Sequence, residues 1–193
     1  MLKSIFSKGV LVALLLGAVG LSAAPARAEV YYTVADLLTA QFARSERVSF
    51  VKVEPGDTER RRIERRLGRS LGKSGYTFYV ATTAGKVDGY ALFDEERGQH
   101  ELINFATFFD ADGGITRVEV VAYREPYGDG IRAERFRRQF VGRGASSGFA
   151  PNKDIDAISG ATISSRSMCA GVKRASVLLE ETLLKGKTVV AAR

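Results

Sequence analysis

The sequence has few of the side chains on which most catalytic and metal sites depend. Its 193 residues include one cysteine, one histidine and no tryptophan. Because Cys169 is the only thiol, an intramolecular disulfide is excluded and no set of cysteines is available to bind a metal. His100 and Cys169 together are too few for a zinc or haem site. A histidine-based nucleophile relay has only His100 to draw on, so we expect the chemistry to come from an attached group.

The N-terminal segment has the pattern of a secretory signal. Two lysines precede an apolar run over residues 10–24, and Ala26-Arg27-Ala28 offers small residues at the two positions that a signal peptidase reads. The run is shorter than the roughly 20 residues expected of a membrane-spanning helix. We therefore predict a signal peptide over residues 1–28 with cleavage before Glu29. A retained N-terminal anchor is the alternative, whereas a lipoprotein anchor would need a cysteine at the cleavage site.

Part of the excess of basic residues in the chain lies in this segment. Removing its three cations takes the formal net charge from +7 to +4. A protein exported to the periplasm does not meet the genome, so we expect no nucleic-acid partner despite a sequence pI near 9.7. Association with the inner membrane stays open.

Residues 29–193 are predicted to form a single domain that begins with helices. Thr33 is a candidate N-cap for a helix to about Arg44, and a short strand follows over 48–53. A second helix is expected from Asp57 or Thr58 to about Leu67. Arginines are expected on its solvent face, either as ordinary solvated surface or as an interaction site; they are Arg60, Arg61, Arg62, Arg65, Arg66 and Arg69.

The central part of the chain is dominated by strand patterns separated by turn residues. Two hairpins are predicted, one pairing 76–82 with 87–93 and the other pairing 102–109 with 115–123. No helical crossover separates these strands, so the sheet is expected to be antiparallel. The fold class is therefore α+β, with an antiparallel sheet of consecutive hairpins packed with an N-terminal helical pair and a C-terminal helix.

Two further segments follow the hairpins. A basic helix is predicted near 132–140, with Phe136 and Phe140 on one face, and its arginines are candidates for steering acidic partners. Residues 142–153 are rich in Gly and Ser and are expected to form a loop.

A turn of small residues introduces the predicted C-terminal helix. Ser159-Gly160-Ala161-Thr162-Ile163-Ser164 follows Asp156, and Gly160 and Ala161 leave room for another molecule to approach the neighbouring hydroxyls. Downstream apolar residues share one helical stripe; they are Met168, Cys169, Val172, Leu179 and Leu183. Ser164 and Ser165 are also candidates for an ordinary N-cap.

The pattern Asp156-x-x-Ser159-Gly160-Ala161-Thr162-x-Ser164 resembles the flavinylation motif of the FMN-binding domain family. This family includes the C subunit of sodium-translocating NADH:quinone reductase and the G subunit of Rnf complexes. The resemblance implies that the last hydroxyl of the motif, here Ser164, carries FMN through its phosphate. Thr162 and Ser165 remain competing attachment residues. A phosphate here would meet the N-terminus of the helix, and Arg166 is a candidate to contact it.

The resemblance extends over roughly residues 76–184. Glu125-Pro126-Tyr127-Gly128 stands where the family has a Glu-Thr-Pro-Gly loop, although the threonine is missing here. We therefore expect Glu125, Tyr127 and Gly128 near the flavin. Tyr127 is a candidate to stack on the flavin ring, and a turn tyrosine packed on the sheet is the alternative.

The resemblance implies an exported electron-transfer flavoprotein that relays electrons between membrane or periplasmic carriers and has no independent enzymatic activity. A separate flavin transferase would install FMN from FAD, and the magnesium that assists that step belongs to the transferase. No metal is assigned to this chain. Two other functions stay open: a flavin-dependent reductase of a small substrate, and a noncatalytic exported module whose basic surface binds anionic envelope components.

Overall fold

A computed structural model describes residues 29–125 and 128–185 of the protein. The predicted signal peptide over residues 1–28 lies outside the described residues, as does Tyr127. Within the part of the chain that is described, no helix is both long and apolar enough to cross a membrane.

In the described residues, six strands form one antiparallel sheet, in the order β1-β6-β5-β4-β3-β2. The strands are β1 Glu29–Val30, β2 Arg47–Val53, β3 Tyr76–Thr83, β4 Lys86–Arg97, β5 Leu102–Asp110 and β6 Ile115–Tyr123. The predicted α+β class and both predicted hairpins are confirmed. Strand β1 was not predicted because two residues carry no readable alternation.

Helices cover both faces of the sheet. They are α1 Val34–Gln41, α2 Asp57–Leu67, α3 Glu134–Arg137 and α4 Thr162–Leu179; one-turn 3₁₀ segments flank α3, and a π-helical turn over Glu180–Leu184 continues α4. Leu37 of α1 packs on one face with Ala91 and Phe108. Ile63 of α2 and Met168 of α4 belong to the larger core on the other face. The two N-terminal helices are thus separated by the sheet.

The ends of the N-terminal helices follow different rules. Thr33 caps α1 as predicted, in a capping box in which its side chain accepts from Asp36 N–H and Asp36 accepts from Thr33. Helix α2 begins at Asp57 with Gly56 as its N-cap, so the predicted cap at Asp57 or Thr58 is wrong. It ends at Gly68, whose φ of 70° suits the left-handed C-cap position.

The arginine-rich face of α2 is not simply solvated, which corrects the expectation for several of its members. Arg62 and Arg66 pair with Glu181, which is only 2% exposed, and Arg66 also reaches Glu180 at 3.0 Å. Arg69 lies 3.1 Å from Glu96 of β4. These contacts hold α2 and the residues after it against the turn that continues α4 and against the sheet.

The segment before the motif is more ordered than its composition indicated. The predicted basic helix is broken into three short helical pieces between Asp129 and Phe140. The following loop is fixed by Arg143, whose guanidinium donates to the carbonyl oxygens of Gln139, Gly148 and Asp154. This loop carries the chain to the start of α4.

Candidate functional site

The sequence motif forms a tight turn that leads directly into α4. Gly160 has φ +78°, a left-handed conformation that favours glycine. The helix begins at Thr162, and its N-cap residue is Ala161, whose side chain makes no capping hydrogen bond. Ser164 and Ser165 are the third and fourth helical residues, and the interpretation of either as the N-cap is wrong. The N–H groups of this first turn have no partner within the helix, and they lie at the positive end of its dipole.

The three candidate hydroxyls have different surroundings. Ser164 is 5% exposed, and its Oγ lies 2.8 Å from Tyr123 Oη. Ser165 is fully buried, and its Oγ accepts the N–H of Ile158 at 3.1 Å. Thr162 is exposed at the first position of the helix. A helical repeat of 3.6 residues puts Thr162 on the same face as the exposed Arg166, whereas Ser164 shares its face with the core.

Gly128 passes close to this turn from the opposite side. Its φ is +93°, and a Cβ there would lie 2.6 Å from Tyr123 Oη and 2.9 Å from Ser164 Oγ. Both distances are shorter than a real Cβ contact, so only glycine fits without movement. Gly128 of the Glu-Pro-Tyr-Gly segment therefore lies against the motif, and its expected place near a flavin stays a prediction.

The residues that lead into the motif rest on the segment that contains α3. Gln139 binds the backbone of Asp156 twice: its Oε1 accepts from Asp156 N–H at 2.7 Å, and its Nε2 donates to the Asp156 carbonyl at 3.2 Å. A Cβ on Gly130 would lie 2.8 Å from Ile158 Cγ2, which shows how closely the two segments pack. Asp156, Ser159 and Gly160 are exposed, and Ala161 is buried.

Glu125 holds a neighbouring loop. Its Oε1 accepts the backbone N–H groups of His100 at 2.7 Å and Glu101 at 3.1 Å, which fixes the connection between β4 and β5. Ser167 of α4 donates to the carbonyl of Arg97 at the end of β4. The predicted role of Glu125 beside a flavin stays a prediction, while its capping of this loop is visible.

Helix α4 is anchored to the sheet by a buried ion cluster that sequence reasoning missed. Arg174 is 4% exposed and pairs with Asp94 and Glu96, which are each 7% exposed. Burial lowers the pKa of Arg174, but the two carboxylates raise it by more, so the guanidinium stays charged. The sequence did contain one indication of this cluster. Asp94 and Glu96 are two positions apart, so in a strand their side chains lie on the same face of the sheet.

The geometry of the turn fits an FMN phosphate. It offers an exposed hydroxyl at Thr162, the N–H groups of the first helical turn and the cation of Arg166 one turn further on. A glycine backbone closes the other side at Gly128. Within residues 29–125 and 128–185, no group of three or more His, Cys, Asp or Glu side chains could hold a metal ion.

The match to a protein family supports this assignment. The FMN-binding domain family matches residues 98–177, which contain both the motif and the segment from Glu125 to Gly128. Among solved structures, the crystal structure of Shewanella oneidensis NqrC is similar at 16% identity, over 69% of this chain and 79% of that chain, with a TM-score of 0.46. No curated protein matches. Residues 98–177 are therefore similar to the FMN-binding domain.

Proposed function

We propose that this protein is an exported electron-transfer flavoprotein in which FMN is joined by a phosphoester bond to a hydroxyl of the motif. The family match supports FMN as the cofactor. The observation that carries the covalent linkage is the exposed hydroxyl of Thr162 on the first turn of an 18-residue helix. The signal pattern over residues 1–28 supports export.

Accessibility favours Thr162 over Ser164 as the attachment residue. A flavin transferase has to bring its active site to the accepting oxygen, and the Ser164 hydroxyl is buried against Tyr123. Ser165 is fully buried as well. Attachment at Ser164 or Ser165 would require the helix start to open, whereas attachment at Thr162 leaves the core intact.

The surroundings of Thr162 suit a negatively charged ester. The N–H groups of the first helical turn and the positive end of the helix dipole stabilise a phosphate there. Arg166 lies one turn further on the same face and is exposed, so its guanidinium can reach a phosphate at Thr162. Ser164 has Met168 in the equivalent position, and Met168 is fully buried.

The linkage would form by transfer of FMN from FAD. The Thr162 oxygen would replace AMP on the phosphorus of the FMN half, AMP would leave, and a base of the transferase would accept the hydroxyl proton. The magnesium that assists this step would belong to the transferase. The product keeps the flavin ring unsubstituted, and a tethered cofactor is not lost by dilution after export.

When bound, the flavin supplies the electron-transfer chemistry, and this chain supplies attachment, orientation and docking. Gly128 and Tyr123 would limit where the cofactor can lie at the start of α4. Arg135 and Arg138 are exposed on the segment before the motif, and cations there can steer acidic electron carriers of the membrane or periplasm.

Intact-mass analysis tests the proposal directly. The full-length chain is co-expressed with a flavin transferase and exported, and the purified protein is mapped by peptide mass spectrometry. We expect one FMN less one water on the motif peptide of the wild-type protein, none in Thr162→Ala, and full loading in Ser164→Ala and Ser165→Ala. Loading that survives in Thr162→Ala and is lost in Ser164→Ala would return the attachment to Ser164.

Two other results would contradict the proposed function, and each would support a different one. An unmodified, colourless wild-type protein would indicate a noncatalytic binding module. Sustained turnover of a small substrate by the loaded protein alone would indicate a reductase.

A further inference from the structure

Strand β2 leaves an apolar edge of the sheet uncovered. It is the outermost strand beside β3, and within the described residues no strand pairs with its other side. Its side chains on the α1 face include Val48 and Phe50, which are 40% and 61% exposed. An edge strand presents unpaired backbone N–H and C=O groups, so it is a template for another strand.

The neighbouring strand makes this face continuous with the core. Phe50 stands opposite Tyr79 of β3, and the Tyr79 ring packs edge-on against Phe93 at 5.6 Å between ring centroids. Phe93 in turn contacts Phe108. A strand added beside β2 would extend this row of aromatic side chains and bury part of Phe50.

We propose that β2 pairs with β2 of a second copy of this chain, antiparallel and about a two-fold axis at Ser49. The two sheets then form one continuous sheet. In this register Val48 faces Phe50 of the second copy, and Phe50 faces its Val48. Such cross-strand pairs of β-branched and aromatic side chains stabilise sheets.

Charged residues at the ends of β2 favour an axis at Ser49 over an axis at either neighbouring residue. Opposite residues of an antiparallel pair point to the same face of the sheet, so the axis passes through a residue. With the axis at Ser49, Glu46, which directly precedes β2, faces Lys52 of the second copy. An axis at Phe50 sets Glu46 against Glu54, which directly follows β2, and an axis at Val48 sets Glu46 against Phe50. Each shift therefore loses the pairing of Glu46 with Lys52, and the shift to Phe50 also opposes like charges, which destabilise a strand pair.

The charged side chains are available for the new pairing. Lys52 contacts Glu54 at 2.6 Å, but both side chains are more than 60% exposed, and such surface pairs contribute little. Glu46 accepts from the N–H of Ala84 through one carboxylate oxygen. A single strand pair buries little area, so we expect a weak dimer that forms as concentration rises.

Disulfide trapping tests both the dimer and its register. Ser49 faces itself across the proposed axis, so Ser49→Cys should cross-link rapidly under mild oxidation of the purified full chain. In Arg47→Cys the new thiol would face Val51 of the second copy and should cross-link at least about tenfold more slowly, because the two sulfurs are held apart. The native Cys169 is 2% exposed, and burial raises the pKa of its thiol to about 12, so it adds no background.

Charge exchange provides the second test. In the Ser49→Cys background, Lys52→Glu should slow trapping because the new carboxylate faces Glu46 across the axis, and adding Glu46→Lys should restore it. The proposal is overturned if Arg47→Cys cross-links as fast as Ser49→Cys, if Phe50→Cys is trapped fastest, or if light scattering finds only monomer at millimolar concentration. Circular dichroism of each variant confirms that the fold is retained.

Discussion

Tyr123 and Ser164 bring their hydroxyl oxygens within 2.8 Å of each other, joining the end of β6 to the first turn of α4. Tyr123 is 3% exposed and Ser164 is 5% exposed. Their contact fixes the start of the helix against the sheet, so the Ser164 hydroxyl serves the fold. This leaves the outward-facing Thr162 as the accessible hydroxyl in the same turn.

Removing the Ser164 hydroxyl should therefore affect stability more than cofactor loading. Ser164→Ala deletes one partner of a buried hydrogen bond, and we expect a loss of about 1 kcal/mol in the free energy of unfolding. Urea denaturation of Ser164→Ala, Tyr123→Phe and the double variant measures the coupling between the two hydroxyls. Strictly additive losses would show that the hydrogen bond contributes nothing.

Gly128 should be intolerant of any side chain for two separable reasons. Its φ of +93° strains an L-residue, and an added Cβ would collide with Tyr123 Oη and Ser164 Oγ. Gly142 is the matched control, because it has φ +79° and nothing within 4 Å of an added Cβ. Gly142→Ala should cost about 1 kcal/mol from backbone strain, and Gly128→Ala should lose a further amount from overpacking, about 1–3 kcal/mol.

One outcome of these two unfolding experiments would contradict the close packing of Gly128 against α4. Equal losses in Gly128→Ala and Gly142→Ala would mean that the segment around Gly128 moves freely away from α4. The close approach would then carry no structural constraint on the motif.

The sheet could be predicted from sequence because its signals are local. Each hairpin has alternating apolar residues on both sides of a short turn, and each pairing joins strands that follow one another in the chain. The orientation of the motif hydroxyls was also readable. Extending the apolar stripe of Met168 and Cys169 back by one turn reaches Ser164 and Ser165, so these two face the core and Thr162 does not.

The long-range ion pairs could not be predicted in the same way. Arg62 and Glu181 are 119 positions apart. The spacing of arginines along a helix does not indicate which distant carboxylate each of them will contact. The polar face of α2 looks solvated until the C-terminal turn is packed against it. Only the tertiary arrangement separates Arg62 and Arg66 from the other arginines of the helix.

Glu181 should make stability depend on pH. Burial raises its pKa, but hydrogen bonds from Arg62, Lys185 and Arg66 lower it by more, to about 2 from an ordinary 4.5. A carboxyl whose folded pKa is depressed stabilises the fold above its unfolded pKa and loses that contribution as pH falls through the folded value. The contribution should therefore be complete above about pH 5 and fade towards about pH 2.

Urea denaturation of Glu181→Gln at pH 7 and pH 3 measures this effect. The depressed pKa corresponds to at most about 3 kcal/mol, and screening reduces it because Arg62 and Lys185 are about half exposed. The stability difference between wild type and variant should shrink from pH 7 to pH 3. Glu134→Gln is the control, since the Glu134 side chain is 75% exposed, and a wild-type-to-Glu181→Gln difference that stayed constant with pH would contradict the assignment.

Arg174 should be the most costly single charge to remove from the described core. Its Nε donates to Asp94 Oδ2 at 2.9 Å, and its other nitrogens reach Glu96 and the carbonyl of Glu95. Arg174→Met keeps much of the side-chain volume but leaves two carboxylates buried without their central partner. Breaking a buried pair typically costs about 3–5 kcal/mol. Lys73 and Arg69 still contact Asp94 and Glu96, so we expect the lower end of that range.

Two further variants show whether the stability lost in Arg174→Met comes from the unpaired carboxylates or from lost packing of the guanidinium. In Arg174→Met with Asp94→Asn and Glu96→Gln, the stranded charges are gone, and most of the lost stability should return in urea denaturation. Lys173→Met, at the adjacent and less buried position of α4, should have little effect. If the triple variant is no more stable than Arg174→Met, the loss comes from packing of the guanidinium against its neighbours, and the two carboxylates are held adequately by Lys73 and Arg69 alone.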